Sequence, residues 1–170
     1  GIQDMRIAVN VSMPQFRSPV FIAQVASALQ RYQIAEGELE LEITESVLMD
    51  DPEAMIQCLS KLKSLGVRIS VDDFGTGYSS LNYLRRLPLD KIKVDASFVR
   101  DLTTEGGAAI AETIVHLGRQ LGLMTIAEGV ETAEQEAAMR DMGCDEAQGY
   151  YFARPVPLEQ LAHLLERPAI

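Results

Sequence analysis

The sequence predicts an α/β fold in which a mostly parallel sheet is covered by helices. Short, β-branched apolar runs alternate with longer stretches whose apolar residues recur at helical spacing. Strand-then-helix units in unbroken succession imply parallel strands joined by crossovers. Each candidate strand also ends in a residue able to bind a metal ion or move a proton, and reactive groups gather at the carboxyl ends of parallel strands.

Residues 6–11 form the first strand candidate, with Asn10 near its end. Phe21, Val25, Leu29 and Tyr32 then share one helix face. In the second strand, residues 38–43, Leu39, Leu41 and Ile43 alternate with Glu40, Glu42 and Thr44, and Glu45 follows. Met55, Leu59, Leu62 and Leu65 mark the next helix. The strand at residues 67–71 ends in Asp72-Asp73. In the strand at 91–94, Lys93 and Asp95 alternate with Ile92 and Val94. Ile110, Ile114, Leu117 and Leu121 repeat the helical pattern. The strand at 124–127 leads into Glu128, with Glu131 beyond it. Thr132 and Gln135 make a capping box that opens a helix through Met142, which Gly143 ends. Residues 147–152 are a weaker last strand containing Gln148. Leu158, Leu161 and Leu165 mark a final helix after Pro157. No linker and no repeat divides residues 1–170, so a single domain is expected.

Composition narrows the class. With 170 residues, 47% of them apolar, the chain can build a real core, which excludes disorder and fibrous repeats. No apolar run approaches the roughly 20 residues of a membrane-spanning helix. Two cysteines, Cys58 and Cys144, make no disulfide framework, so a reducing cytoplasm is the expected setting. A net charge of −10 argues against binding a nucleic acid polymer. The chain opens at Gly1 with no methionine, as expected of a cut end. Length alone favours a doubly wound sheet, because a (β/α)8 barrel needs eight strands and typically about 250 residues.

Taken singly, the polar residues have ordinary explanations. Leu-Glu-Leu-Glu suits a half-exposed strand, Asp72-Asp73 a turn, Lys93 a solvated edge, and Glu128 with Glu131 a helix start. Together they are harder to dismiss. Strands covered by helices have little solvated face, so carboxylates at their ends must meet one another and need a cation to offset their repulsion. The candidate donors, Asn10, Glu42, Asp72, Asp73 and Glu128, are all oxygen ligands, which suits Mg2+ or Mn2+ better than Zn2+. His116 and His163 lie on predicted helices away from the strand ends, and the two cysteines read as packing residues. The stretch Phe74-Gly75-Thr76-Gly77-Tyr78-Ser79-Ser80 lacks the third glycine of a dinucleotide fingerprint and the lysine of a P-loop. Following two acids, it suits a mobile lid.

These blocks resemble the EAL domain, the bacterial phosphodiesterase family that linearises cyclic di-GMP. The resemblance rests on Val9-Asn10-Val11-Ser12, Glu42-Ile43-Thr44-Glu45-Ser46, Asp72-Asp73-Phe74-Gly75-Thr76-Gly77-Tyr78-Ser79-Ser80-Leu81 and Lys93-Val94-Asp95. It continues through Ala127-Glu128-Gly129-Val130-Glu131 and Gln148-Gly149-Tyr150, then Phe152 and Pro155, in the family's order along nearly the whole chain. It implies a (β/α)8 TIM-type barrel in place of the doubly wound sheet that length favours. It also implies a two-metal site of Mg2+ or Mn2+ held by Asn10, Glu42, Asp72, Asp73 and Glu128, with Ca2+ inhibitory. By the same resemblance Lys93 orients the attacking water or steadies the phosphate, and Glu131 and Gln148 are further site residues. Glu45 supports the loop of residues 72–81, which the family uses to couple substrate binding to dimer contacts. Tyr78, Ser79, Gln148 and Pro155 are its candidate substrate contacts.

The Glu-Ala-Leu tripeptide that names the family occurs nowhere in this sequence. Its glutamate is a metal ligand on an early strand, so the resemblance places the first two strands before Arg6 and makes the chain the C-terminal two-thirds of such a domain. The expected partners are cyclic di-GMP, a second copy of the chain, and an upstream sensor or GGDEF domain. The expected reaction is hydrolysis of one phosphodiester to linear pGpG, with the isolated chain inactive. Two alternatives stay open: a degenerate cyclic di-GMP-binding or protein-interaction module, and an enolase-type barrel with carboxylates and a lysine at its strand ends.

Overall fold

The computed structural model describes residues 5–48, 51–76 and 81–165. Six strands alternate with helices: β1 (Ile7–Asn10), α1 (Met13–Phe16), α2 (Phe21–Tyr32), β2 (Leu39–Thr44), α3 (Glu45–Leu48), α4 (Pro52–Ser64), β3 (Arg68–Phe74) and α5 (Leu81–Leu84). There follow β4 (Lys91–Val94), α6 (Ala96–Arg100), α7 (Glu105–Leu121), β5 (Met124–Ala127), α8 (Ala133–Asp141), β6 (Glu146–Ala147) and α9 (Leu158–Leu165). No helix among the described residues is long and apolar enough to cross a membrane.

Every strand pairs parallel with its sequence neighbour, in the order β1-β2-β3-β4-β5-β6. A doubly wound sheet reverses its strand order at a switch point; this one never does. In a flat sheet β1 and β6 would lie about 24 Å apart, at ~4.8 Å per strand. Yet Arg6, at the entry to β1, reaches within 3.8 Å of Glu146 on β6. The sheet is therefore rolled into an open barrel, with six of the eight strands of a (β/α)8 fold.

Alternation along the strands decides what faces where. Leu41, Ile43, Ile69, Val71, Ile92, Val94 and Ala127 are buried in one core with Leu59, Leu62, Ile114, Val115 and Met139 of the covering helices. Ile43, Ile69 and Ile92 are fully buried, each contributing about 1.5–3 kcal/mol. The helix ends follow sequence chemistry. Asp51 accepts the Ala54 N–H ahead of Pro52 on α4, Thr104 accepts the Gly107 N–H on α7, and Thr132 and Gln135 form the anticipated capping box of α8. Glu40 and Glu42, on the opposite face of β2, point into the barrel and are 2% and 9% exposed. The half-exposed reading of Leu-Glu-Leu-Glu is thus overturned.

The last strand also needs correction. The sequence predicts a strand over 147–152, but β6 ends at Ala147, and Gln148 lies beyond it. Gly149 is the reason: its backbone lies so close to Val130 that any Cβ would fall 2.1 Å from the Val130 carbonyl oxygen. The chain turns there, with Tyr151 N–H donating to Val130 O and Phe152 N–H to Gly149 O.

Candidate metal centre

Six of the sequence-predicted residues converge at the carboxyl ends of β2 to β6. Lys93 is the hub. Its Nζ lies 2.9 Å from Glu42 Oε2, 2.9 Å from Asp72 Oδ1 and 2.8 Å from Glu128 Oε1. Gln148 Nε2 donates to the same Glu128 oxygen at 2.6 Å. One carboxylate oxygen each of Asp72, Asp73 and Glu128 lies within 4.8 Å of the others, the grouping among the described residues fit to hold a metal ion.

Adjacent residues on a regular strand point to opposite faces, so Asp72 and Asp73 should not share a site. A local break brings them together. The pairing of β3 with β4 shifts register between Val71 and Phe74, and Asp73 takes a left-handed backbone with φ 54°. Such a bulge re-aims a side chain, and a non-glycine residue at positive φ marks strain held by its surroundings. Asp73 N–H donates to Asp72 Oδ1 at 3.2 Å. Just beyond, Glu45 Oε2 accepts the Gly75 N–H at 3.0 Å, so α3 holds the start of the glycine loop. Gly75 admits no side chain: with φ +95°, a Cβ would fall 2.8 Å from Ile114 Cδ1 and 3.0 Å from Phe98.

The other candidates are dispersed around this cluster. Asn10 stands opposite Glu42 in the β1–β2 register and is exposed. Glu131 is outside the cluster; with Gln148, Tyr150, Arg154 and Pro155 it lines a neighbouring cavity of about 540 Å3. Arg154 stacks on the Tyr150 ring at 4.4 Å. Tyr78 and Ser79 lie outside the described residues.

The electrostatics are lopsided. Glu42, Asp72, Asp73 and Glu128 face one ammonium. Burial pushes Glu128 up to about 7, with Lys93 opposing and Asp72 adding to the shift. Burial, then Asp72 and Asp95, raise Asp73. Burial works to lower Lys93, but its hydrogen bonds to Glu128, Glu42 and Asp72 outweigh it and hold the ammonium above its ordinary value. An all-oxygen, cation-deficient set of this kind fits hard divalent ions.

Sequence reasoning missed one ionic group. Arg6, Glu40, Lys91 and Glu146 meet inside the barrel beneath this cluster. The signal was present: Glu40 and Glu42, and likewise Lys91 and Lys93, are spaced by two on their strands and so share the interior face.

Sequential parallel strands rolled into an open barrel, with an acidic oxygen cluster at their carboxyl ends, define an incomplete (β/α)8 domain of metal-dependent type. The EAL domain model matches residues 1–155, and the chain belongs to that family. It is 46% identical over 162 residues to the bifunctional diguanylate cyclase/cyclic di-GMP phosphodiesterase MucR of Pseudomonas aeruginosa, covering 95% of this chain and 24% of that protein. It is 43% identical over 168 residues to the signaling protein YkoW of Bacillus subtilis, covering 98% of this chain and 21% of that protein. Among solved structures, the MucR phosphodiesterase in complex with c-di-GMP superposes with a TM-score of 0.90 at 45% identity, covering 94% of this chain and 72% of that one. The EAL domain of Mycobacterium smegmatis DcpA also gives 0.90, at 36% identity, covering 96% and 74%. The chain thus spans less than a quarter of the length of these curated relatives.

Proposed function

We propose that the chain is the C-terminal two-thirds of a cyclic di-GMP phosphodiesterase domain that hydrolyses one phosphodiester to linear pGpG. The observation that carries this reading is the convergence of Glu42, Asp72, Asp73 and Glu128 around Lys93, in a chain 45% identical to a phosphodiesterase solved with c-di-GMP. Asn10, Glu42, Asp72, Asp73 and Glu128 would hold two Mg2+ or Mn2+ ions. When bound, such ions supply a water acidic enough to attack at neutral pH and positive charge against the phosphate oxygens.

The residues of the chain do the rest. Lys93, held above its ordinary pKa, stays an ammonium at neutral pH and therefore acts as a donor to a phosphate oxygen or water, never as a base. Gln148 fixes the orientation of the Glu128 carboxylate through its 2.6 Å bond. Glu45 keeps the glycine loop, and with it Asp73, in place. The cavity of Glu131, Tyr150, Arg154 and Pro155 opens beside these groups and is wide enough for part of a dinucleotide; for Tyr78 and Ser79 a substrate contact rests on the family resemblance alone.

As a domain of a longer signalling protein, the chain would work in the cytoplasm or on the cytoplasmic side of a membrane-anchored parent, as a homodimer coupled to a sensor or GGDEF domain. The test is incubation with cyclic di-GMP and Mg2+ or Mn2+, followed by chromatography of the products. A form preceded by two further barrel strands with their glutamate should release pGpG, whereas the 170-residue chain should release almost none. The alternative is a module that binds cyclic di-GMP without cleaving it. Tight cyclic di-GMP binding with no cleavage by either form would establish it.

A further inference from the structure

The interiors of (β/α)8 barrels are filled in layers by side chains from alternate strands, mostly bulky and branched. Here the layer beneath the mouth is ionic. Glu40 of β2, Lys91 of β4 and Glu146 of β6 come from alternate strands, and Arg6 joins them from the entry to β1. Lys91 Nζ lies 2.6 Å from Glu146 Oε2 and 3.3 Å from Glu40 Oε2. Arg6 Nη1 lies 3.3 Å from that Glu40 oxygen. The Glu40 and Lys91 side chains are 3% and 6% exposed. Buried ion pairs of this kind add little stability over well-packed apolar residues. What they fix is geometry.

Three of the four floor residues stand two positions before a mouth residue: Glu40 before Glu42, Lys91 before Lys93, Glu146 before Gln148. The dependence is greatest at β6. That strand is two residues long and meets β5 at two positions, a weak hold on register at a sheet edge. The bond from Gln148 N–H to Ala127 O fixes its height. The Lys91–Glu146 bond fixes how far it leans into the barrel, and Gln148 follows at once, donating to Glu128.

We propose that Lys91 is a positioning residue: by tying Glu146 and Glu40 across the barrel, it sets the spacing of β2, β4 and β6, and with it the seating of Gln148 on Glu128. Its consequence for metal binding rests on the reading of the mouth as a metal centre; the geometric claim does not. Two variants test it, Lys91→Met and the combined Glu40→Leu, Lys91→Met, Glu146→Leu. The combined variant removes three charges from the floor and leaves Arg6, whose side chain already reaches solvent. The first readout is the side-chain amide resonance pair of Gln148, assigned by its loss in Gln148→Ala. The second is Mn2+ affinity by titration calorimetry, with thermal melts confirming folding.

Both variants should move the Gln148 amide to the position of a free glutamine side chain. Both should weaken Mn2+ binding about tenfold, the lower end for loss of a group that orients a ligand, while the combined variant melts no lower than the parent chain. If Lys91→Met alone does not fold, the combined variant decides. A combined variant with the parent's amide shift and Mn2+ affinity would overturn the proposal. A parent chain that takes up no Mn2+ would remove the metal reading, and the amide shift would then decide the positioning claim by itself.

Discussion

Two ionic layers lie about 6.6 Å apart inside this barrel, two residues along each strand, and they differ in charge balance. In the floor, Arg6 and Lys91 face Glu40 and Glu146, two charges of each sign. In the mouth, Lys93 faces Glu42, Asp72, Asp73 and Glu128. On β2 and β4 the two layers draw on the same strands. In the mouth, burial raises the pKa of Glu128 and of Asp73, and the backbone is strained at Asp73. Charge balance therefore separates an ionic cluster whose charges cancel from one whose excess of carboxylates fits a cation.

The largest expected effect breaks the mouth and leaves the floor intact. In a domain completed by its two remaining strands, Glu128→Gln should cut metal-dependent turnover at least about a hundredfold, since it removes charge from the proposed metal ligands. Glu134→Gln, in the exposed first turn of α8, should leave turnover within about twofold. Comparable losses at both positions would make Glu128 an ordinary helix-start acid. Metal exchange acts on the same layer with a somewhat smaller effect. Ca2+ should bind the completed site yet support only slow hydrolysis, because its longer, more variable coordination misplaces the attacking water. Rates in Ca2+ equal to those in Mg2+ would contradict that account.

A smaller effect separates support from ligation. Glu45→Ala removes the acceptor of the Gly75 N–H but no proposed metal ligand. Turnover should fall about tenfold, with Mn2+ affinity changing less than turnover. Unchanged kinetics would show that the glycine loop holds itself without α3.

What is legible in the sequence follows the same division. Periodicity locates the strands because Leu41, Ile43, Val71 and Ile92 are buried for the reason their pattern suggests. Motif residues point to the mouth, because its chemistry needs particular side chains in a particular order. Residues 147–152 depart from their strand-like pattern because Gly149 turns the chain through a close approach to Val130, which no local pattern encodes. The closeness of Asp72 and Asp73 depends on a register shift against β4, a property of two strands that no single stretch carries. The floor is hidden for a further reason. Its partners are far apart in sequence, 34 residues in Arg6–Glu40 and 55 in Lys91–Glu146, and each looks like a surface charge until the sheet rolls up.

The smallest effect is thermodynamic and reuses the variant with the largest functional cost. Glu128 has a pKa of about 7 in the folded chain against an ordinary 4.5. Below pH 4.5 it is protonated whether the chain is folded or not, and contributes no pH dependence. As pH rises from 4.5 towards 7, the unfolded chain releases this proton while the folded chain keeps it, so stability is lost across that window and levels off above it. Glutamine does not titrate and mimics the protonated acid. In EDTA, the melting temperatures of Glu128→Gln and the parent chain should therefore coincide near pH 4 and diverge through pH 7. By pH 8 the variant should melt several degrees higher. Lys93 opposes this result, since its ammonium favours the ionised carboxylate, but burial is the larger influence. A variant melting lower than the parent at pH 8 would mean that the ion pair with Lys93 outweighs burial. The mouth would then resemble the floor, a charge network kept for structure, and the distinction between the two layers would collapse.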